Sequence, residues 1–161
     1  MVGKEPDIGA TARTVAANVK RLRGGLKYTQ LSDLLQDVAG WSINAVGIRR
    51  IEDGERRVTP DDLVALALAL GVSPATLLMP EAAAGADKVV ATGMGDTVEA
   101  WRLWRWLRAE APAPHANPQG RFAFLDKAWP GWSDVEIVER GAGANLTSTV
   151  RPLADGTPED Q

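Results

Sequence analysis

The chain has 161 residues, of which 45% are hydrophobic and 24% charged, and its net charge is −3. These values are ordinary for a soluble globular protein, and the length allows two small domains. The lack of cysteine excludes disulfides and thiolate chemistry, and the single histidine, His115, excludes a histidine cluster for a metal. Since no apolar run approaches the length of a membrane span or a signal peptide, we expect a cytoplasmic protein with no membrane contact.

The charge is distributed unevenly along the chain. Residues 11–58 contain nine Lys and Arg against five Asp and Glu, whereas residues 59–100 contain one Lys against six acids. At contact a polyanion responds to the local field, which extends over a Debye length of about 10 Å. The basic stretch is therefore compatible with a nucleic-acid partner despite the negative net charge.

Three helices are predicted in the first third of the chain, after flexible residues 1–10. Apolar residues spaced by three and four predict a first helix over 11–23, which Gly24-Gly25 ends. Closely following it, a second helix ends at Ala39-Gly40, and its apolar face consists of Leu31, Leu34, Leu35 and Val38.

The third helix, over 44–52, is short and has two distinct faces. Its spacing turns Ile48 and Ile51 inward and Arg49 and Arg50 outward. Either Ser42 or Asn44 can cap its first turn, and Asp53-Gly54 ends it.

Two more helices complete the first half. Thr59-Pro60 predicts a capped helix start, which Asp61-Asp62 complements electrostatically. Its apolar face contains Leu63, Leu66, Ala67 and Leu70. Ser73-Pro74 begins a last short helix, in which Leu77, Leu78 and Met79 are expected to close the core.

The second half is expected to be a linker at 81–87, a small Trp-rich α+β module at 88–139 and a disordered tail at 140–161. Within the module we predict strands at 88–92, 121–125 and 135–139 and a helix at 97–109. An i+3 stripe of Val98, Trp101, Trp104 and Leu107 is expected to form a core or a protein interface, covered by Trp129 and Trp132. Alternatives are a ligand pocket, or a second DNA contact that uses the neighbouring Arg102, Arg105 and Arg108.

A resemblance to a known family rests on the first half. The pattern GIRRIEDGERR at 47–57, followed by a helix that ends in Leu-Gly-Val-Ser-Pro at 70–74, resembles the phage-repressor (lambda repressor/Cro) helix-turn-helix family. The resemblance covers residues 12–80 and implies a five-helix DNA-binding domain over 11–80, so the fold class is expected to be mainly α. It also implies a protein without cofactor that binds double-stranded DNA, commonly as a homodimer.

The resemblance further implies which residues meet DNA, with the third helix in the major groove. The candidates are Thr29, Gln30, Ser42, Asn44, Ala45, Arg49, Arg50, Arg56 and Arg57. Asn44 would pair with adenine, and Arg49 or Arg50 with guanine or phosphate. Arg56 and Arg57 would clamp phosphate. Glu52 matches a position with a structural ion-pair role, and Arg23 matches one that is either a phosphate contact or a structural ion pair, with the structural role favoured.

The alignment to the family has two registers near the second helix. Anchoring Leu31-Ser32 on the family's Leu-Ala pair leaves the longer insertion before the third helix, and anchoring Thr29-Gln30 on its Thr-Gln leaves the shorter one. Thr29 and Gln30 would then meet a phosphate, or Thr29 would be a plain N-cap.

The expected function is transcriptional control, with repression favoured, in a phage or prophage immunity role or a host role. An antitoxin-like interaction module that autoregulates its own synthesis, or a small-molecule sensor built on the Trp cluster, are alternatives. Gly93 and Gly95 indicate a turn rather than a nucleotide loop. No Ser-His-Asp or Cys-His set is present, so an enzyme is not expected.

Overall fold

The computed structural model of the chain describes residues 8–114, 121–131, 135–140 and 147–152. The first part contains five helices, α1 (Ala10–Arg23), α2 (Tyr28–Ala39), α3 (Ala45–Glu52), α4 (Pro60–Ala69) and α5 (Pro74–Leu78). The second part contains β1 (Lys88–Val89), β2 (Val98–Glu99), α6 (Ala100–Leu107), α7 (Arg121–Ala128), β3 (Val135–Arg140) and β4 (Thr147–Pro152). Within these described ranges, every helix is too short or too polar to cross a membrane.

The helices α1 to α5 share one hydrophobic core. Helix α2 packs against α3 and α4, while α1 packs against α5 and α3. Each aliphatic side chain buried in such a core contributes about 1.5–3 kcal/mol relative to an exposed one. The fully buried members include Val19, Leu31, Leu35, Ile43, Ile48, Ile51, Leu66 and Leu77.

Side-chain caps fix where α4 and α5 begin, as the sequence predicts. The Thr59 hydroxyl accepts a hydrogen bond from the Asp62 N–H at 3.1 Å, and the Asp62 carboxylate accepts one from the Thr59 N–H at 3.1 Å. Ser73 caps α5 by accepting from the Thr76 N–H at 3.2 Å. These contacts satisfy N–H groups that have no partner within the helix.

A buried amide, which the sequence pattern does not reveal, joins the first helix to the last one in this domain. The Asn18 side chain lies on the inner face of α1, and its Nδ2 donates to the carbonyls of Leu77 (3.0 Å) and Met79 (2.8 Å). Its Oδ1 accepts from the Arg21 guanidinium at 3.0 Å. Asn18 therefore supplies partners to the carbonyls that α5 leaves open at its end.

A second, smaller core lies under α6. Strands β1 and β2 pair antiparallel, with Lys88 opposite Glu99 and Val89 opposite Val98. Its buried members are Val89, Ala91, Met94, Val98, Ala100 and Leu103. Met79 packs against this cluster at the end of the helical domain. Thr11 and Thr92 also exchange hydrogen bonds of 3.1 and 2.9 Å, so the two cores are joined at two places.

The expected stripe on α6 is displaced by one residue. Ala100 and Leu103 are buried and Trp101 is 48% exposed, so the prediction that Trp101 lies in the core is wrong. The helix begins only at Ala100, because residues 98–99 pair with β1, and this pairing sets which face of α6 turns inward. One residue corresponds to about 100° around a helix.

Other predictions were also corrected. The strand expected at 121–125 is the helix α7, because five residues with alternating phenylalanines do not distinguish the two periods. Residues 147–152, expected to be disordered, form β4, which pairs antiparallel with β3. Local periodicity does not report such pairing. The strand at 135–139 is confirmed, and that at 88–92 shrinks to Lys88–Val89.

Candidate nucleic-acid interface

Helices α2 and α3 are joined by a five-residue turn, 40–44. Gly40 ends α2 in the left-handed conformation (φ 59°), which glycine adopts without steric cost. Asn44 then caps α3, since its Oδ1 accepts from the Gly47 N–H at 2.8 Å. Of the two predicted caps, Asn44 is therefore correct, and Ser42 remains exposed in the turn.

The two faces of α3 are separated as the sequence predicts. Ile48 and Ile51 are fully buried in the first core, while the side chains of Arg49 and Arg50 are 62% and 53% exposed. The isoleucines hold the helix on the domain and leave both guanidinium groups open to solvent. This arrangement confirms the predicted orientation of the helix.

The ion pairs on this exposed face are loose. The Nε atom of Arg49 lies 4.0 Å from Asp53 Oδ2, and that of Arg50 lies 3.6 Å from Glu55 Oε2. Exposed pairs of this kind contribute about 0.2–1 kcal/mol, so either arginine can exchange its carboxylate for a phosphate or a base edge at little cost.

An apolar residue on the same face was not among the predicted contacts. Val46 is 61% exposed and lies three and four residues before Arg49 and Arg50, so all three share one side of α3. Ala45 beside it is half-buried. A valine in this position is suited to contact a thymine methyl group. The helical spacing from the arginines was the signal that could have identified it.

The cap limits what Asn44 can do. A bidentate contact with adenine needs both the oxygen and the nitrogen of the amide, and the oxygen is already the acceptor for Gly47 N–H. Asn44 therefore retains its NH₂ group for a DNA contact, and the bidentate pairing would require a second use of Oδ1.

Arg56 lies against a buried carboxylate. Its NH2 atom is 3.3 Å from Asp62 Oδ2, and a Cβ added at Gly47 would meet its NH1 atom at 2.8 Å. Trp41 Nε1 also donates to Asp62, at 2.8 Å. Arg56 thus braces α3 against α4, a role that sequence reasoning did not assign.

The Asp62 carboxylate is stabilised in its charged form. Burial by itself raises its pKa, but hydrogen bonds from Trp41 and Thr59 and the charge of Arg56 outweigh burial and hold the pKa below its ordinary value. The side chain is almost completely removed from solvent. Asp62 is therefore a structural anion within the helix-turn-helix region.

Thr29 and Gln30 both lie in the exposed first turn of α2. The N-cap residue is Lys27, so the prediction that Thr29 is the N-cap is wrong. Gln30 Oε1 accepts from the Lys27 N–H at 2.8 Å. The Gln30 amide nitrogen at this helix N-terminus can still donate to a phosphate.

Arg23 and Glu52, for each of which a structural role was favoured, form an ion pair with each other inside the domain. Arg23 Nε donates to Glu52 Oε1 at 2.6 Å, and its NH2 donates to Glu52 Oε2 at 3.0 Å. The Tyr28 hydroxyl donates to the same carboxylate at 3.1 Å, and the Arg23 guanidinium lies 4.3 Å from the centre of the Tyr28 ring. Glu52 therefore ties α3 to α1 and α2, and its hydrogen bond raises the pKa of Arg23.

The predicted interface residues on α6 have differing environments. Trp104 and Leu107 are half-buried, and the Trp129 indole donates to the Ala109 carbonyl at 2.7 Å, which places Trp129 beside the end of α6. Trp132 lies outside the described residues. At the start of α6, a hydrogen bond from Lys88 lowers the pKa of Glu99 to about 2.

Within the described ranges, no group of three or more His, Cys, Asp or Glu side chains is arranged to hold a metal ion.

The comparison with protein families agrees with this geometry. Residues 19–77 match the helix-turn-helix family, in its Cro/C1 type as found in phage repressors. This match covers 59 of the 161 residues and suggests a DNA-binding transcriptional regulator. Neither the curated proteins nor the solved structures gave a significant match.

Proposed function

We propose that this protein is a sequence-specific repressor that binds double-stranded DNA as a homodimer, with α3 in the major groove. The observation that carries the proposal is the division of α3, in which Ile48 and Ile51 are buried and Arg49 and Arg50 project outward. The major groove, about 12 Å wide, admits one helix, so side chains on that face reach base edges.

The electrostatics of the domain support the same reading. The segment 11–58 holds four more basic than acidic residues, since nine Lys and Arg face five Asp and Glu. Two of the arginines already form ion pairs inside the domain, Arg23 with Glu52 and Arg56 with Asp62. Arg49 and Arg50 have only weak pairs, so both can turn to DNA at little cost.

The N-terminus of α2 supplies a second contact in the proposal. Its first turn exposes Thr29 and Gln30, and the positive end of the helix dipole favours a phosphate there. A phosphate bound at this point would set the position of the domain along the duplex, while α3 reads the sequence. Arg57 and Ser42, both exposed, are proposed as further phosphate contacts.

The homodimer is proposed to form through α6. Trp101 leaves about half of its side chain exposed in the described structure, and large aromatic residues are enriched at protein interfaces. Two domains joined there would meet half-sites about one helical turn apart. Repression follows because a dimer bound over a promoter excludes polymerase. We propose a cytoplasmic, nucleoid-associated repressor in a phage immunity or host role.

The test is selection of bound sites from a pool of random duplexes by the purified full chain. The wild type is expected to enrich one palindromic motif, since a two-fold dimer presents the same α3 surface twice. The variant Arg49→Ala/Arg50→Ala is expected to lose this motif while it keeps its thermal unfolding midpoint.

Two outcomes would contradict the proposal. If the double variant enriches the same motif, Arg49 and Arg50 on α3 do not contact the bases. An asymmetric, bipartite motif would place a second DNA contact on the part of the chain after residue 80. Light scattering of wild type and Trp101→Ala tests the dimer separately, because the variant is expected to be monomeric at micromolar concentration.

A further inference from the structure

A pocket of about 430 Å³ lies where α1 begins, where the chain enters α4 and where α5 ends. Most of its lining is apolar, from Ile8, Ala12, Val15, Val58, Leu63 and Leu78. The volume lies within the range of about 300–1,000 Å³ that is typical of small-molecule sites. Such a lining favours a ligand with a hydrocarbon body, because burial of its apolar surface releases water.

One charged side chain lies at this pocket. Among the described residues that line it, Arg57 alone is ionised, and no acid is present. Arg57 is exposed, and the described part of the chain gives it neither an ion pair nor a hydrogen bond. Its guanidinium is therefore available to an anion, and its planar donors match the two oxygens of a carboxylate.

We propose that this pocket binds a small monocarboxylic acid with a hydrocarbon body, and that Arg57 binds its carboxylate. One cationic group at an otherwise apolar pocket suits one negative charge. A dianion would leave a charge without a partner, and a cationic ligand would be repelled by Arg57. Thr11 and Thr59 also line the pocket, and their hydroxyl groups can donate hydrogen bonds to the same carboxylate.

The position of the pocket gives the ligand a consequence for DNA binding, and this step rests on the proposed function. Arg57 cannot bind a ligand carboxylate and a DNA phosphate with the same donors. Thr11, on the pocket wall, also exchanges hydrogen bonds with Thr92 in the second core. A ligand in the pocket therefore removes the Arg57 contact with phosphate. It also contacts Thr11, which joins the two cores through Thr92. The ligand is therefore expected to weaken DNA binding.

The test uses octanoate as the probe and octan-1-ol as its uncharged counterpart, with binding to the full chain followed by calorimetry and by NMR of labelled backbone amides. Octanoate is expected to bind at least about ten times more tightly than octan-1-ol, since only the acid gains a charge-assisted contact. Amide shifts are expected in residues 8–15 and 57–63.

Two variants examine the two parts of the site. Arg57→Gln is an exposed substitution and is expected to reduce octanoate binding to the level of octan-1-ol. Ala12→Phe fills the pocket and is expected to reduce the binding of both probes. The proposal is overturned if octanoate fails to bind the wild type at millimolar concentration, if octan-1-ol binds equally well, or if Arg57→Gln binds octanoate as the wild type does.

The effect on DNA is measured separately with Arg49→Gln as the matched control. This substitution lies outside the pocket, so the variant is expected to bind octanoate normally even though its DNA binding is weakened by the loss of one base contact. Octanoate at saturation is expected to weaken wild-type binding to the selected duplex by about five- to ten-fold, the loss of one phosphate contact. If the wild type binds octanoate but no duplex, the proposed DNA-binding function is wrong and the proposed ligand site stands.

Discussion

Helices α3 and α6 have the same length and the same number of arginines, but they expose different residues. Each has eight residues, and each contains two arginines. In α3 both arginines face solvent together with Val46, and both isoleucines face the core. In α6 the exposed large apolar residue is Trp101. Arg102 beside it is exposed and lies 3.6 Å from Glu99, while the less exposed Arg105 lies near Glu110. Arginine content alone therefore does not identify a DNA-reading helix, and the direction of the side chains does.

The largest expected effect is on the affinity for the selected DNA duplex, which substitutions in α3 lower and substitutions at α6 do not. Arg49→Ala/Arg50→Ala is expected to weaken binding to the selected duplex by about a thousand-fold, because each lost base contact costs about 1–3 kcal/mol. The matched variant Arg102→Ala/Arg108→Ala, which changes one residue of α6 and its C-cap residue, is expected to change it by less than about three-fold. Fluorescence anisotropy at several salt concentrations measures both.

The salt series also tells which contacts α3 makes. If Arg49 and Arg50 bind phosphates, the slope of log affinity against log salt falls by about 0.9 for each contact removed. If they bind bases, affinity falls and the slope changes less. If the α6 variant loses as much DNA affinity as the α3 variant, the conclusion that α3 rather than α6 reads the DNA is wrong.

The next largest effect concerns what holds α3 in place. Glu52→Gln is expected to destabilise the protein by about 3 kcal/mol, because it leaves the Arg23 guanidinium in a buried site without its counter-charge. Urea unfolding measures this loss. Asp53→Asn is the matched control: it removes only the exposed partner of Arg49 and is expected to change stability by less than about 0.5 kcal/mol. Similar losses for both would show that Glu52 is not an internal anchor.

A comparable experiment sharpens the account of α6. Leu103→Ala is expected to cost about 2–4 kcal/mol, because the side chain is fully buried in the second core. Trp101→Ala removes a larger but half-exposed side chain and is expected to cost less than about 1 kcal/mol at a dilution at which the wild type is also monomeric. Thermal unfolding of both variants measures the difference. The reverse order would restore the core stripe that the sequence suggests.

The smallest expected effect is a dependence of stability on pH. Asp62 has a lowered pKa in the folded protein, so the stability it contributes is present above its unfolded pKa of about 3.9 and is lost as the pH falls below that value. The indole of Trp41 donates to Asp62, so the difference in tryptophan fluorescence between wild type and Trp41→Phe, which isolates one of the six tryptophans, should report this loss. Asp62→Asn is expected to be about 2 kcal/mol less stable at pH 7 and flatter below pH 4. An unchanged acid profile would contradict the assignment.

The sequence by itself determined the first domain, because its signals are local. Periodic apolar residues at Ile48 and Ile51, the cap at Thr59 and the stop at Gly54 each act within a few residues, and all agree with the structure. The family resemblance favoured a structural role for Arg23 and for Glu52 separately, and only the structure shows that they pair with each other.

Only the tertiary structure decided which polar side chains form hydrogen bonds or ion pairs with other helices, and how the second half folds. Asn18, Asp62 and Arg56 find their partners across helices, and no spacing in the chain encodes those encounters. The pairing of β1 with β2 turns Leu103 rather than Trp101 inward, and β4 exists only through its partner β3. A contact between residues distant in sequence depends on the packing of whole elements, and periodicity describes one element at a time.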